Sequence, residues 1–307
     1  MKIKLENVNI NSTSGPNYFS SKLLKYLKKD GKDCFVSAET PDVTLCFTET
    51  RGPKVSPLVQ RLDGIWFNST TNYNALNSNY KKTYQVADGV IYQSRFDKKL
   101  IEYHFGEHRN STIINNGADV DLISTVDPYD SPLVKNAEHV WSCASHFAGR
   151  YHKRLNENIR YFLEHSGPKD VMLVAGKIDK ADLMYLTHPN VHYVGELKIT
   201  DLMSVYKRSE YFIHLARLDH CPNVVVDARA SGCQIICSNL GGTVEIAGTD
   251  AIVIEEDEWD FKPFDYNQTS TIDFSRKIKN KFDCSVNMNI VAEKYYKFLE
   301  RSIKNEN

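Results

Sequence analysis

Along the whole chain, short apolar runs rich in β-branched residues alternate with stretches in which apolar residues recur every three or four positions. Strands of the first kind taken in turn with helices of the second predict α/β layers on parallel sheets. In the first half, a strand near residues 3–10 leads through Ser14-Gly15-Pro16-Asn17 into a helix carrying Phe19, Leu23, Leu24 and Leu27, which stops at Gly31. Further strands are expected at 43–47, 64–67 and 89–92, and a last one at 112–117. Between residues 119 and 137 the periodicity fades and Pro128 and Pro132 intervene, which predicts an interdomain linker there.

The second half resumes with a strand at 139–144 and a helix at 153–165 that Gly167-Pro168 terminates. Strands follow at 171–176, 191–195, 211–215, 234–237 and 251–254, with crossover helices at 200–208 and 224–230. A final helix over about 286–303 places Ile290, Val291, Tyr295, Phe298 and Leu299 at helical spacing. The pattern divides the chain into domains at 1–135 and 136–307. A length of 307 residues agrees with that number, at the usual ~150 residues per domain.

Composition removes several function classes. The formal net charge is −1, and residues 1–138 hold 17 Lys and Arg against 16 Asp and Glu, so neither half offers a nucleic-acid-binding surface. Any phosphate site must be local. The seven cysteines show no C-x-x-C spacing, which fits a reduced, cytoplasmic compartment without a zinc or disulfide framework. The start of the chain lacks the apolar core of a signal peptide, and no apolar run approaches the ~20 residues of a membrane span. A soluble protein is expected, with peripheral membrane contact left open.

The chemistry concentrates in one stretch. Asp219-His220-Cys221-Pro222-Asn223 precedes a helix that carries Asp227, and Gly241-Gly242-Thr243-Val244-Glu245 follows the next strand. Proline suits a first helical turn, whose free N–H groups form an anion site needing no net basic charge. The two carboxylates have seven residues between them. Gly241 and Gly242 offer a second place where backbone can approach a ligand closely. Upstream, Gly149-Arg150-Tyr151-His152-Lys153-Arg154 puts cations just before a helix.

These spacings resemble the C-terminal domain of family-4 glycosyltransferases of the GT-B fold, and the likeness extends more weakly through the first half. It implies two Rossmann-like domains facing a cleft, with the last helix crossing back to the first domain. The implied activity is hexosyl or related transfer, in polysaccharide biosynthesis for example, from a nucleotide sugar such as a UDP- or GDP-sugar. Transfer to a glycan or lipid-linked acceptor would retain anomeric configuration and need no metal or further cofactor. Carried onto this chain, the resemblance puts Arg150 and Lys153 on the donor diphosphate, with Arg154 able to replace either. It puts the Asn223 and Val224 backbone near phosphate or sugar, Asp219 on sugar hydroxyls and Asp227 on the ribose. Gly15, like Gly241 and Gly242, would border the donor, and Arg61 and Asp63 the acceptor, although an Arg–Asp pair of this kind is as often structural. Two departures stand out: Asp227 replaces the family's usual Glu, and Arg229 stands where an apolar residue is common. A nucleotide-sugar epimerase of the same fold and a catalytically silent nucleotide-sugar-binding protein are the alternatives. A dinucleotide dehydrogenase is disfavoured because no G-x-G-x-x-G follows the first strand.

Overall fold

The structure, a computed structural model, describes residues 1–12, 14–36, 40–268 and 271–304. Two sheets organise it. The first joins β1 (Lys2–Glu6), β2 (Asp33–Phe35), β3 (Val43–Phe47), β4 (Leu58–Leu62), β5 (Gly89–Tyr92) and β6 (Ser111–Ile113) in the order β2-β1-β3-β4-β5-β6, every pair parallel. The second joins β7 (Val140–Ala144), β8 (Val171–Ala175), β9 (Val191–Gly195), β10 (Tyr211–His214), β11 (Gln234–Ser238), β12 (Ile252–Ile254) and β13 (Lys277–Lys279). Its order is β13-β12-β11-β10-β7-β8-β9, parallel except where β13 returns beside β12. Every residue of β3, β4, β5 and β7 is buried, as expected of central parallel strands covered on both faces.

Helices α1 (Gly15–Lys29), α2 (Tyr73–Leu76), α3 (Ser78–Val86), α4 (Arg95–Phe105) and α5 (Val120–Thr125) belong to the first half of the chain. The second half supplies α6 (Leu155–His165), α7 (Ile199–Arg208), α8 (Asn223–Ala230), α9 (Thr243–Ile246) and α10 (Met288–Lys304). On α1, Phe19, Leu23, Tyr26 and Leu27 form one apolar stripe, and the stripe packs on β1 and β3. The same core contains Met288, Val291, Tyr295, Phe298 and Leu299 of α10, so the last helix fills the first sheet's core rather than the second's.

The segment 64–67 is not a strand, although its apolar run predicts one; β4 lies just before it. Ile65 and Phe67 are buried by a different partner, the strap bearing Trp259, Phe264 and Tyr266 from the second half. Periodicity reports burial, and burial here comes from domain packing instead of strand pairing. The short strands β2 and β13 escape the pattern because neither is an apolar run: of its three residues β2 buries only Cys34, and β13 is exposed at all three positions. The expected linker also holds a helix, α5, capped by Asp119.

Candidate active site

The sheets face one another across a cleft of about 820 Å³, lined from the first half by Gly15, Tyr18, Asp63 and Asn116, among others, and from the second by residues of four loops. Those loops follow β7, β8, β9 and β10, at the carboxyl ends of the strands where open α/β sheets bind ligands. The loop after β7 is a tight turn: Arg150 N–H bonds Phe147 O, Lys153 N–H bonds Arg150 O, and Arg154 takes a left-handed φ of 53°. The turn splits its cations. Arg150 and Lys153 line the cleft, whereas Arg154 is buried and forks onto the Glu256 carboxylate at 2.7 and 2.8 Å. Arg154 therefore does not take the place of either cleft cation.

Lys153 Nζ donates to Asp219 Oδ2 at 2.5 Å, and His214 Nε2 lies 2.9 Å from the same oxygen. A carboxylate only accepts, so His214 presents Nε2–H to it. The other oxygen of Asp219 accepts the His220 N–H at 3.1 Å. Burial would raise the Asp219 carboxyl, but Lys153 and His214 overrule it and hold it well below the usual range. Burial and the neighbouring Lys153 push the His152 imidazole down to about 3, so that ring is neutral at physiological pH.

Helix α8 begins directly after Pro222, with Asn223 and Val224 on the cleft wall. Its first bonded N–H groups are those of Val225 and Val226, which return to Pro222 O. Among the described residues the Asn223 and Val224 N–H groups meet no acceptor, which leaves two donors at a helix N-terminus facing the cleft. Across the gap, Asn223 Nδ2 donates to Gly15 O at 3.1 Å, which puts Gly15 at the seam between the domains.

Asp227 faces the same cleft from one turn further along α8, and its partner comes from the other domain. Lys22 Nζ on α1 lies 3.2 Å from Asp227 Oδ1, and both side chains are almost wholly buried. Burial pushes the Asp227 carboxyl up and the Lys22 ammonium down, and their mutual attraction opposes both shifts.

Two further expectations need correction. Arg61 has no exposed surface and does not line the cleft; it bonds Tyr295 Oη at 2.9 Å and Asn116 Oδ1 at 2.8 Å, pairs with Asp63 and lies over the Phe19 ring. It clips β4 to α10, and only Asp63 of the pair reaches the cleft. Gly241 and Gly242 pack behind the 218–221 loop. A Cβ on Gly242 would fall 1.9 Å from His220 O, and one on Gly241 2.7 Å from Asp219 O, so their lack of side chains serves the loop that presents Asp219.

Three contacts of the site across the domain boundary were not foreseen from the sequence. Glu245, at the end of the Gly-Gly motif, accepts the Arg95 and Phe96 N–H groups at 2.8 and 2.9 Å and so caps α4 across the domain boundary. His220 inserts between domains, with Nδ1 2.9 Å from Asp97 and its ring against Gly64, where a Cβ would overlap it. Tyr18 and Lys22 share a face of α1 that reads in sequence as a solvated one. None of these has a local signal, because each partner lies more than a hundred residues away. Among the described residues, no three His, Cys, Asp or Glu side chains gather as a metal site requires, and no helix is long and apolar enough to cross a membrane.

Comparison with known proteins bears on the second domain and on the fold. Residues 145–262 match the family described as glycosyl transferases group 1, a stretch that includes the loop after β7, Asp219, all of α8 and the Gly-Gly motif. Among solved structures the chain is similar to AviGT4, a glycosyltransferase involved in avilamycin A biosynthesis, with a TM-score of 0.64 and 14% identity over 99% of this chain and 98% of that one. It is also similar to a glycosyltransferase from Rickettsia africae, with a TM-score of 0.62 and 13% identity over 99% of each chain. HepE from Anabaena, solved in complex with UDP-glucose, gives a TM-score of 0.62 and 13% identity over 99% of each chain. No curated protein matches the sequence. The fold is GT-B, and the second domain carries the match to glycosyl transferases group 1.

Proposed function

We propose that the protein is a glycosyltransferase that binds a nucleotide-diphosphate sugar in the cleft and moves the sugar to a glycan or lipid-linked acceptor in the cytoplasm. The observation that carries this reading is the convergence of Arg150, Lys153 and the unpaired N–H groups of α8 on one wall of the cleft, with Asp219 beside them. Glycosyl transfer expels a nucleoside diphosphate, and fixed cations and helix N–H groups stabilise the charge that grows on it. Arg150 and Lys153 hold the diphosphate, α8 meets phosphate or sugar, Asp219 orients sugar hydroxyls and Asp227 lies at the ribose. Asp63 faces the acceptor. The donor is a UDP- or GDP-sugar, transfer proceeds with retention, and these protein groups do the work that a divalent metal does in other transferases.

The reading is tested by incubating the protein with a panel of UDP- and GDP-sugars in the presence of a chelator and a mixed glycan and lipid-linked acceptor fraction. Release of one nucleoside diphosphate, with the sugar appearing on a larger molecule, is the expected result. Lys153→Ala should lower the rate about a hundredfold or more, the scale of losing one charge-stabilising donor. Conversion of the donor into an epimer without release would identify an isomerase instead, and binding without consumption a silent binder.

A further inference from the structure

Tyr18 and Lys22 lie one turn apart on α1, in the domain opposite the one that carries Asp227. Lys22 Nζ reaches 3.2 Å from Asp227 Oδ1 and 3.3 Å from Asn223 Oδ1, and lies 4.4 Å from the centre of the Tyr18 ring. The Tyr18 hydroxyl is buried and faces the Asp227 carboxylate without forming a well-aligned hydrogen bond to it among the described residues, and Tyr18 lines the cleft beside Asp227 and Asn223. A buried hydroxyl without a well-formed hydrogen bond costs up to about 1–3 kcal/mol, which a ligand atom bridging Tyr18 and Asp227 would recover.

The charges at this corner balance, one carboxylate against one ammonium. Phosphate gains nothing from such a pair, whereas a neutral ligand with two adjacent hydroxyls can donate to the carboxylate and accept from the phenol. We propose that Tyr18 and Lys22 complete a binding site for a vicinal diol, with Tyr18 touching the ligand and Lys22 positioning Asp227. The first domain thereby contributes directly to recognition on the donor side of the cleft. This rests on the reading of the cleft as a nucleotide-sugar site, and in that setting the diol is the ribose of the nucleotide or the transferred sugar.

Calorimetry on the full chain separates the cases. Wild type, Tyr18→Phe, Lys22→Met and Lys22→Arg are titrated with UDP and GDP, their 2′,3′-dideoxy counterparts, UDP-glucose and GDP-mannose. Wild type should bind one diphosphate at least tenfold more tightly than its dideoxy form if the diol is ribose, or one nucleotide sugar at least tenfold more tightly than its diphosphate if it is the sugar. Tyr18→Phe, which deletes only the hydroxyl, should narrow that ratio to about threefold or less, as should Lys22→Met, while Lys22→Arg keeps part of it. Ratios unchanged in Tyr18→Phe, or no discrimination by wild type, would overturn the proposal while diphosphate binding upheld the donor site. No binding of any nucleotide would remove the donor reading and the diol site together.

Discussion

Asp219 and Asp227 stand eight positions apart in sequence and meet opposite fates. Asp219 collects Lys153, His214 and a backbone N–H within its own domain and is held firmly ionised at the cleft surface. Among the described residues Asp227 has one ion-pair partner, Lys22, delivered by the other domain, and burial pushes its carboxyl upward. The same residue type thus serves as a locally built charge in one place and as half of a contact between domains in the other. What differs is the number and origin of the donors around each carboxylate, and the consequences can be measured.

The largest effect is expected at Asp227. Lys22→Met alone or Asp227→Leu alone leaves a buried charge without its partner and should cost about 3–5 kcal/mol in denaturant unfolding, whereas the double replacement should be close to neutral or stabilising. Equal, additive losses would show that the pair is not a buried unit. At Asp219 the loss should be smaller, about 1.5–3 kcal/mol for Asp219→Ala, because the side chains of Asp219 and Lys153 retain 13% and 15% exposure and water can replace part of the network. Gly64→Ala should follow at about 1–3 kcal/mol, since φ there is +95° and the new Cβ would overlap the His220 ring; the cost should show as weakened domain packing, read by hydrogen exchange at 218–221.

The smallest effect concerns pH, and its sign distinguishes the two acids. A carboxyl whose folded pKa is depressed contributes stability above its unfolded value, and that contribution disappears as pH falls through the folded value. The advantage of wild type over Asp219→Asn should therefore shrink below about pH 4, the ordinary Asp range. A raised folded pKa works the other way: its contribution is complete below the unfolded value and is lost as pH rises through the folded one. Where Lys22→Met removes the opposing partner, burial acts on Asp227 unopposed, so relative to Lys22→Met/Asp227→Asn the Lys22→Met variant should lose stability as pH climbs above about 4. Urea unfolding followed over pH 3–7 reads both slopes, and parallel slopes would contradict the contrast.

The same contrast explains what the sequence made legible. The strands and crossover helices of the second domain, the turn bearing Arg150 and Lys153, and the free first turn of α8 follow from local pattern, because their bonding partners are close in the chain. The partner of Asp227 does not, since 205 positions separate it from Lys22. The burial of Arg61 likewise depends on Tyr295 of the last helix, and the position of segment 64–67 on a strap beginning near Trp259. Residues whose role is set by the seam between domains look, in sequence, like solvated helix faces, spare strands or acceptor contacts. Glu245 was visible as part of a motif, but nothing near it indicated that its carboxylate caps a helix of the other domain.

The central claim is that the cleft holds a nucleotide-diphosphate donor on Arg150 and Lys153. Calorimetric titration of wild type and the Arg150→Ala/Lys153→Ala double variant with nucleoside diphosphates and nucleotide sugars, without added metal, tests it most directly. Binding of one donor by wild type and at least a hundredfold weaker binding by the double variant is the predicted result, at about 1.5–3 kcal/mol for each charge-assisted contact. Equal binding by both proteins, or none by wild type at millimolar donor, would contradict it.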